Sequence, residues 1–120
     1  MTPRKILSLA AAAAALLLVA TQADAHARVV ASAPAASATV ASPRSITVTF
    51  SERVVPAFSG LEVVSAAGAV SAVSTAVSRD GKTLSGRTAR RLAPGAYTVN
   101  WHAASADGHR MTGAIAFTVR

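Results

Sequence analysis

Beyond residue 25 the chain predicts an all-β domain, on three observations. Apolar residues recur with period two in several short runs. Pro, Gly and Ser separate those runs, as turns do in antiparallel sheets. No stretch past residue 25 sustains the 3.6-residue period of an amphipathic helix.

Taken in chain order, residues 27–32 form the first candidate strand, followed by a turn near Pro34 and another near Pro43. Ile46, Val48 and Phe50 then alternate with Ser45, Thr47 and Thr49, so one face points to a core and the other to solvent. Residues 61–65 are a further strand, closed by Ala66-Ala67-Gly68; residues 70–77 follow, closed by Arg79-Asp80-Gly81, and then residues 82–86. Tyr97, Val99 and Trp101 repeat the alternation, and Ile115, Phe117 and Val119 repeat it again at the end. About seven short strands in a chain of this length predict a single immunoglobulin-like Greek-key β-barrel or sandwich. The run Leu92-x-Pro94-Gly95-x-Tyr97 agrees, because a tyrosine opening a late strand can hydrogen-bond back to the preceding turn. Phe50, Phe58, Tyr97, Trp101 and Phe117 are all placed in or beside the core, and Trp101 is assigned packing, not chemistry.

Residues 1–25 read as a signal peptide: Arg4 and Lys5 give the positive start, residues 6–20 the apolar stretch, and Ala23-x-Ala25 the cleavage pattern. The apolar stretch is shorter than the roughly 20 residues that a spanning helix needs. Removing the first 25 of 120 residues leaves 95, enough for one compact domain over 26–120 and too few for two. Cleavage after Ala25 makes His26 the first residue of the exported protein. Cuts after Ala23 or Ala27 fit the same small-residue pattern and stay open.

The chain has no cysteine, which excludes disulfides and thiolate metal sites. Twelve Lys and Arg face five Asp and Glu; with Arg4, Lys5 and Asp24 lost in the leader, ten face four. Basic proteins of this sort can bind nucleic acid or anionic lipid through phosphate neutralisation, yet this dispersed arginine reads as solvated surface, because no helix, aromatic series or dense cluster is present to build a groove.

Three histidines occur, His26, His102 and His109. An N-terminal His26 offers both its α-amine and its imidazole to one metal ion. Asp107 and His109 stand two residues apart, with Gly108 between them to allow a bend. An amine, two imidazoles and a carboxylate suit the tetragonal nitrogen and oxygen field of copper(II), one ion per chain. Met111, the one methionine left after the leader, reads as packing. A dedicated copper(I) site, which favours sulfur donors, is therefore not expected. His102 lies on the strand face opposite Trp101, and its role is open.

These residues resemble the CopC family of periplasmic copper-resistance proteins. Three stretches carry the resemblance: the start His26-Ala27-Arg28-Val29-Val30-Ala31-Ser32-Ala33-Pro34, the run Val48-Thr49-Phe50-Ser51-Glu52, and Ser105-x-Asp107-Gly108-His109 with Gly113. Arg110 stands where many relatives have proline. The resemblance implies a periplasmic copper(II)-binding protein with His26, Asp107 and His109 as ligands. It also implies that Glu52 steadies the amine or a bound water by hydrogen bonding, that copper is held or carried without catalysis, and that an inner-membrane copper transport protein is a partner. Two other classes are carried beside it: a copper-dependent oxidative enzyme with an N-terminal histidine brace, and a metal-free exported β-module that binds another protein.

Overall fold

The structure, a computed structural model, describes residues 27–120. The expected leader and His26 lie outside the described residues. The period-two runs become strands β1 (Val29–Ala33), β2 (Thr39–Val40), β3 (Ser45–Phe50), β4 (Gly60–Ser65), β5 (Val70–Ser71), β6 (Val73–Val77), β7 (Thr83–Thr88), β8 (Gly95–Ala104) and β9 (Arg110–Val119). A single 3-10 turn, Pro56–Phe58, stands between β3 and β4.

Two sheets form, in the orders β1-β3-β7-β6 and β2-β9-β8-β4-β5. All pairings are antiparallel except that of β2 with β9, which is parallel. The architecture is the expected immunoglobulin-like Greek-key fold in its sandwich form. Alternation decides which side chains fill the space between the sheets. Ile46, Val48 and Phe50 of β3 and Leu84 of β7 meet Val63, Val99 and Phe117 from the other sheet, all at most 2% exposed. Burying each such side chain contributes roughly 1.5–3 kcal/mol, so these seven dominate the stability of a domain without disulfides. Tyr97 stacks on Phe117 at 5.6 Å between ring centres, and its hydroxyl donates to Ala93 O at 2.6 Å, closing the corner expected at the start of β8.

Three expectations are corrected. Among the described residues there are nine strands, two of them only two residues long, where about seven were expected. Two-residue β2 is too short to carry a period, and it forms because Thr39 and Val40 reach the end of β9 at Thr118 and Val119. Residues 70–77 are not one strand: β5 pairs with β4 in one sheet and β6 with β7 in the other, so the chain crosses between sheets at Ala72. Phe58 is not a core residue. It sits on the 3-10 turn at 58% exposure, because the turn breaks the alternation that would have directed it inward. Trp101, by contrast, makes a T-shaped contact with Phe50, ring centres 5.2 Å apart, and Met111 is partly buried against the same core.

The sandwich has two distinct ends. Phe50 of β3 and Ala104 of β8 run out at one, where Val54 bridges to Ser105. Ser45 of β3 and Gly95 of β8 begin at the other, where the Leu92 N–H donates to Ser42 Oγ at 2.8 Å.

Candidate metal centre

Strands β8 and β9 are paired along their full length, from Gly95↔Val119 to Ala104↔Arg110, so the chain between them must reverse within residues 105–109. The backbone closes that reversal itself. The Ser105 N–H donates to His109 O at 2.9 Å, and the Gly108 N–H to Ser105 O at 2.9 Å. Gly108 has φ of 90°, a left-handed conformation that a side chain would strain. The turn brings Asp107 and His109 into direct contact.

Asp107 is held through both carboxylate oxygens. Oδ1 accepts from the Ser105 hydroxyl and from the His109 N–H, the latter at 3.2 Å. Oδ2 lies 2.8 Å from His109 Nδ1. The Ser105 hydroxyl above all, then the His109 N–H and ring, keeps the carboxyl far below the usual carboxylate range, so Asp107 is ionised at any physiological pH. A carboxylate can only accept, so His109 Nδ1 carries the hydrogen, and the lone pair of the neutral ring is on Nε2. This is the arrangement in which a carboxylate fixes the tautomer of a metal-binding histidine.

Ser105, to which sequence reasoning assigned no role, is the residue whose hydroxyl braces Asp107. It is 4% exposed, and its hydroxyl also lies 3.3 Å from His109 O. The available signal was its place two residues before Asp107, the spacing of a side-chain-capped turn.

The loop is clamped from below. Val54 bridges to Ser105, the Val55 N–H donates to Ala104 O at 2.8 Å, and Ser59 Oγ donates to Val55 O at 2.7 Å. The same clamp reaches the first described residues, since the Arg28 N–H donates to Ser51 Oγ at 2.9 Å and the Ser51 N–H returns to Arg28 O at 2.8 Å. Arg28, Ser51, Val54 and Ser105 are thus joined at one end of the sandwich. Glu52, beside Ser51, is exposed at this end and makes no hydrogen bond or ion pair with another described residue. His26 lies outside the described residues. Among the described residues no group of three or more His, Asp or Glu side chains converges, so the site there consists of the Asp107 and His109 pair. One carboxylate and one imidazole on a braced loop fit copper(II), which accepts mixed oxygen and nitrogen donors. His102 is elsewhere: it pairs with Gly60 and Thr112 and is exposed on the outer face of its sheet.

Fold and loop together define a class: an immunoglobulin-like sandwich that carries a braced aspartate–histidine pair in its last hairpin. The CopC domain model matches residues 29–120, and the chain belongs to the CopC family. It is 40% identical over 114 residues to copper resistance protein C of Pseudomonas syringae pv. tomato, covering 89% of this chain and 90% of that one. It is 33% identical over 110 residues to copper resistance protein C of Xanthomonas campestris pv. juglandis, covering 86% and 87%. Among solved structures it resembles PcoC, a methionine-rich copper resistance protein from Escherichia coli, with TM-score 0.74, 33% identity, and coverage of 80% of this chain and 100% of that one. CopC from Methylosinus trichosporium OB3b aligns with TM-score 0.74 and 29% identity, covering 78% and 93%. Membership places the chain among copper-resistance proteins.

Proposed function

We propose that this protein binds one copper(II) ion per chain in the periplasm and acts as a carrier or sequestering protein in copper resistance and homeostasis. The ligands are the α-amine and imidazole of His26 after cleavage behind Ala25, the Asp107 carboxylate and the His109 imidazole. The observation that supports this most is the Asp107 and His109 pair, fixed by Ser105 on a loop that is clamped at both ends. The backbone link from Arg28 to Ser51 begins two residues after His26 and leads to the same clamp. Glu52, on that link, is available to hold the amine or a bound water.

A preformed pair lowers the ordering cost of binding. Oxygen and nitrogen donors suit copper(II) better than copper(I), and Met111 is engaged in packing. Copper therefore stays oxidised and is passed on or stored, an inner-membrane copper transport protein being the recipient or donor. All donors must be deprotonated to bind, so affinity falls in mild acid.

The test is a copper(II) titration of the processed protein against a competing chelator, with His109→Ala and His26→Ala alongside. Each substitution is expected to weaken binding strongly. Unchanged affinity in both would refute this ligand set, and no specific copper binding by the processed wild type would leave a metal-free β-module. Copper-dependent, reductant-driven oxygen consumption coupled to cleavage of a substrate would instead support an oxidative enzyme.

A further inference from the structure

The end of the sandwich opposite the Asp107 loop gathers arginines that are scattered in sequence. Arg44, Arg87, Arg90 and Arg91 line one cleft of about 430 Å³. The register explains the gathering: Arg87 pairs with Ser45 beside Arg44, and the Thr88 N–H donates to Arg44 O at 3.0 Å. Arg120 joins them, because its N–H donates to Val40 O at 2.9 Å. All five are exposed, and no side chain among them makes an ion pair or hydrogen bond with another described residue.

Among the described residues no carboxylate side chain balances this end. Asp107 and Glu52 are at the other one, as is Asp80, whose neighbour Gly81 accepts the Val54 N–H at 2.9 Å. Glu62 is in mid-strand, opposite Asn100. A second cleft, of about 540 Å³, continues from Arg90 and Arg91 to Val70 and Ala72. Val70 is 63% exposed and ends the hairpin tip Ala66-Ala67-Gly68-Ala69, which is exposed throughout and uncharged. The tip is at this end because Ser65 pairs with Tyr97 and the Ala66 N–H donates to Ala96 O.

We propose that this end docks on an anionic phospholipid surface, its guanidinium groups taking lipid phosphates while the 66–70 tip enters the headgroup layer. Guanidinium presents a planar fork of donors that matches phosphate. A bilayer sets phosphates directly beside apolar chains, and this end sets arginines directly beside an apolar tip. An acidic protein patch would match only the charge. A single-stranded nucleic acid would call for exposed aromatic rings to stack its bases, whereas Tyr97, the aromatic nearest this end, is buried. Docked in this way, the Asp107 loop faces away from the lipid and stays open to exchange. The surface is independent of the metal reading.

The test is co-sedimentation with phosphatidylcholine vesicles, with and without phosphatidylglycerol, at low salt and at about 0.15 M salt. Wild type is expected to bind only the anionic vesicles, and less at the higher salt. Each arginine near an anionic surface strengthens binding about five-fold. Arg44→Gln, Arg90→Gln and Arg91→Gln together should therefore weaken binding about 100-fold. Arg28→Gln, Arg79→Gln and Arg110→Gln remove the same charge from the other end and should retain most of the binding. Val70→Trp, at an exposed position, should show a blue-shifted emission on anionic vesicles. Equal loss in the two triple variants, no binding by wild type, or binding of inorganic phosphate without vesicles would overturn the proposal.

Discussion

Ser105→Ala separates what the hairpin does by itself from what copper does to it. Replacement removes one oxygen at a site 4% exposed and leaves the backbone closure through Ser105 N–H and O in place. It takes from Asp107 Oδ1 the hydroxyl that contributes most to lowering its pKa, leaving the His109 N–H and ring as donors. The Asp107 pKa should rise toward its ordinary 3.8 without reaching it. The Ser105 hydroxyl supports a carboxylate that is itself a proposed copper ligand, and loss of such a supporting hydrogen bond costs about 10–100-fold in metal affinity. Carboxyl-carbon NMR titration of the metal-free protein reads the first effect, and chelator competition reads the second. An unchanged Asp107 titration would refute the role given to the hydroxyl. A shifted titration with unchanged copper affinity would refute its link to the metal while leaving the hairpin geometry intact.

The same carboxylate sets a pH dependence: its folded pKa is depressed, so its contribution to stability is whole above 3.8 and is lost as pH falls through the folded value. Asp107→Asn lacks that contribution at every pH, so it should be less stable than wild type near neutrality, with the difference narrowing as pH falls below 3.8; denaturant melts that show a constant difference across the acid range would contradict this. Tyr97→Phe removes the 2.6 Å bond to Ala93 O and should cost about 1 kcal/mol, lowering Tm by about 4–8 °C for a domain of this size; an unchanged melt would contradict it. Gly113→Ala would drive a Cβ into the Trp101 ring, which also packs against Phe50. It should cost about 1–3 kcal/mol by overpacking and alter the tryptophan near-ultraviolet circular dichroism. His102→Ala should leave copper affinity unchanged, since His102 is on the outer sheet face and not on the loop; a large loss would bring His102 into the site.

The strands with strict alternation were legible because their period alone decides which face is buried, as Ile46, Val48 and Phe50 show. Ala72 was not, because a crossing between sheets without Pro or Gly leaves no local mark. The contact of Asp107 with His109 was legible from spacing, yet the depth of Ser105 depends on the bridge to Val54, which lies 51 positions earlier in the chain and has no local sequence sign. The arginine cleft was equally hidden, since Arg44 and Arg87 become neighbours only through the register of β3 and β7. Phe58 shows the converse error: an aromatic residue implies burial on average, and a three-residue 3-10 turn overrode the average.

The central claim is that one copper(II) ion is held where an N-terminal His26 meets the Asp107 hairpin. Native mass spectrometry of the protein recovered from an exporting host, before and after one equivalent of copper(II), tests it most directly. The account predicts a chain that begins at His26 and retains one copper ion. A chain that begins at Arg28, or one that begins at His26 and retains no copper, would contradict it.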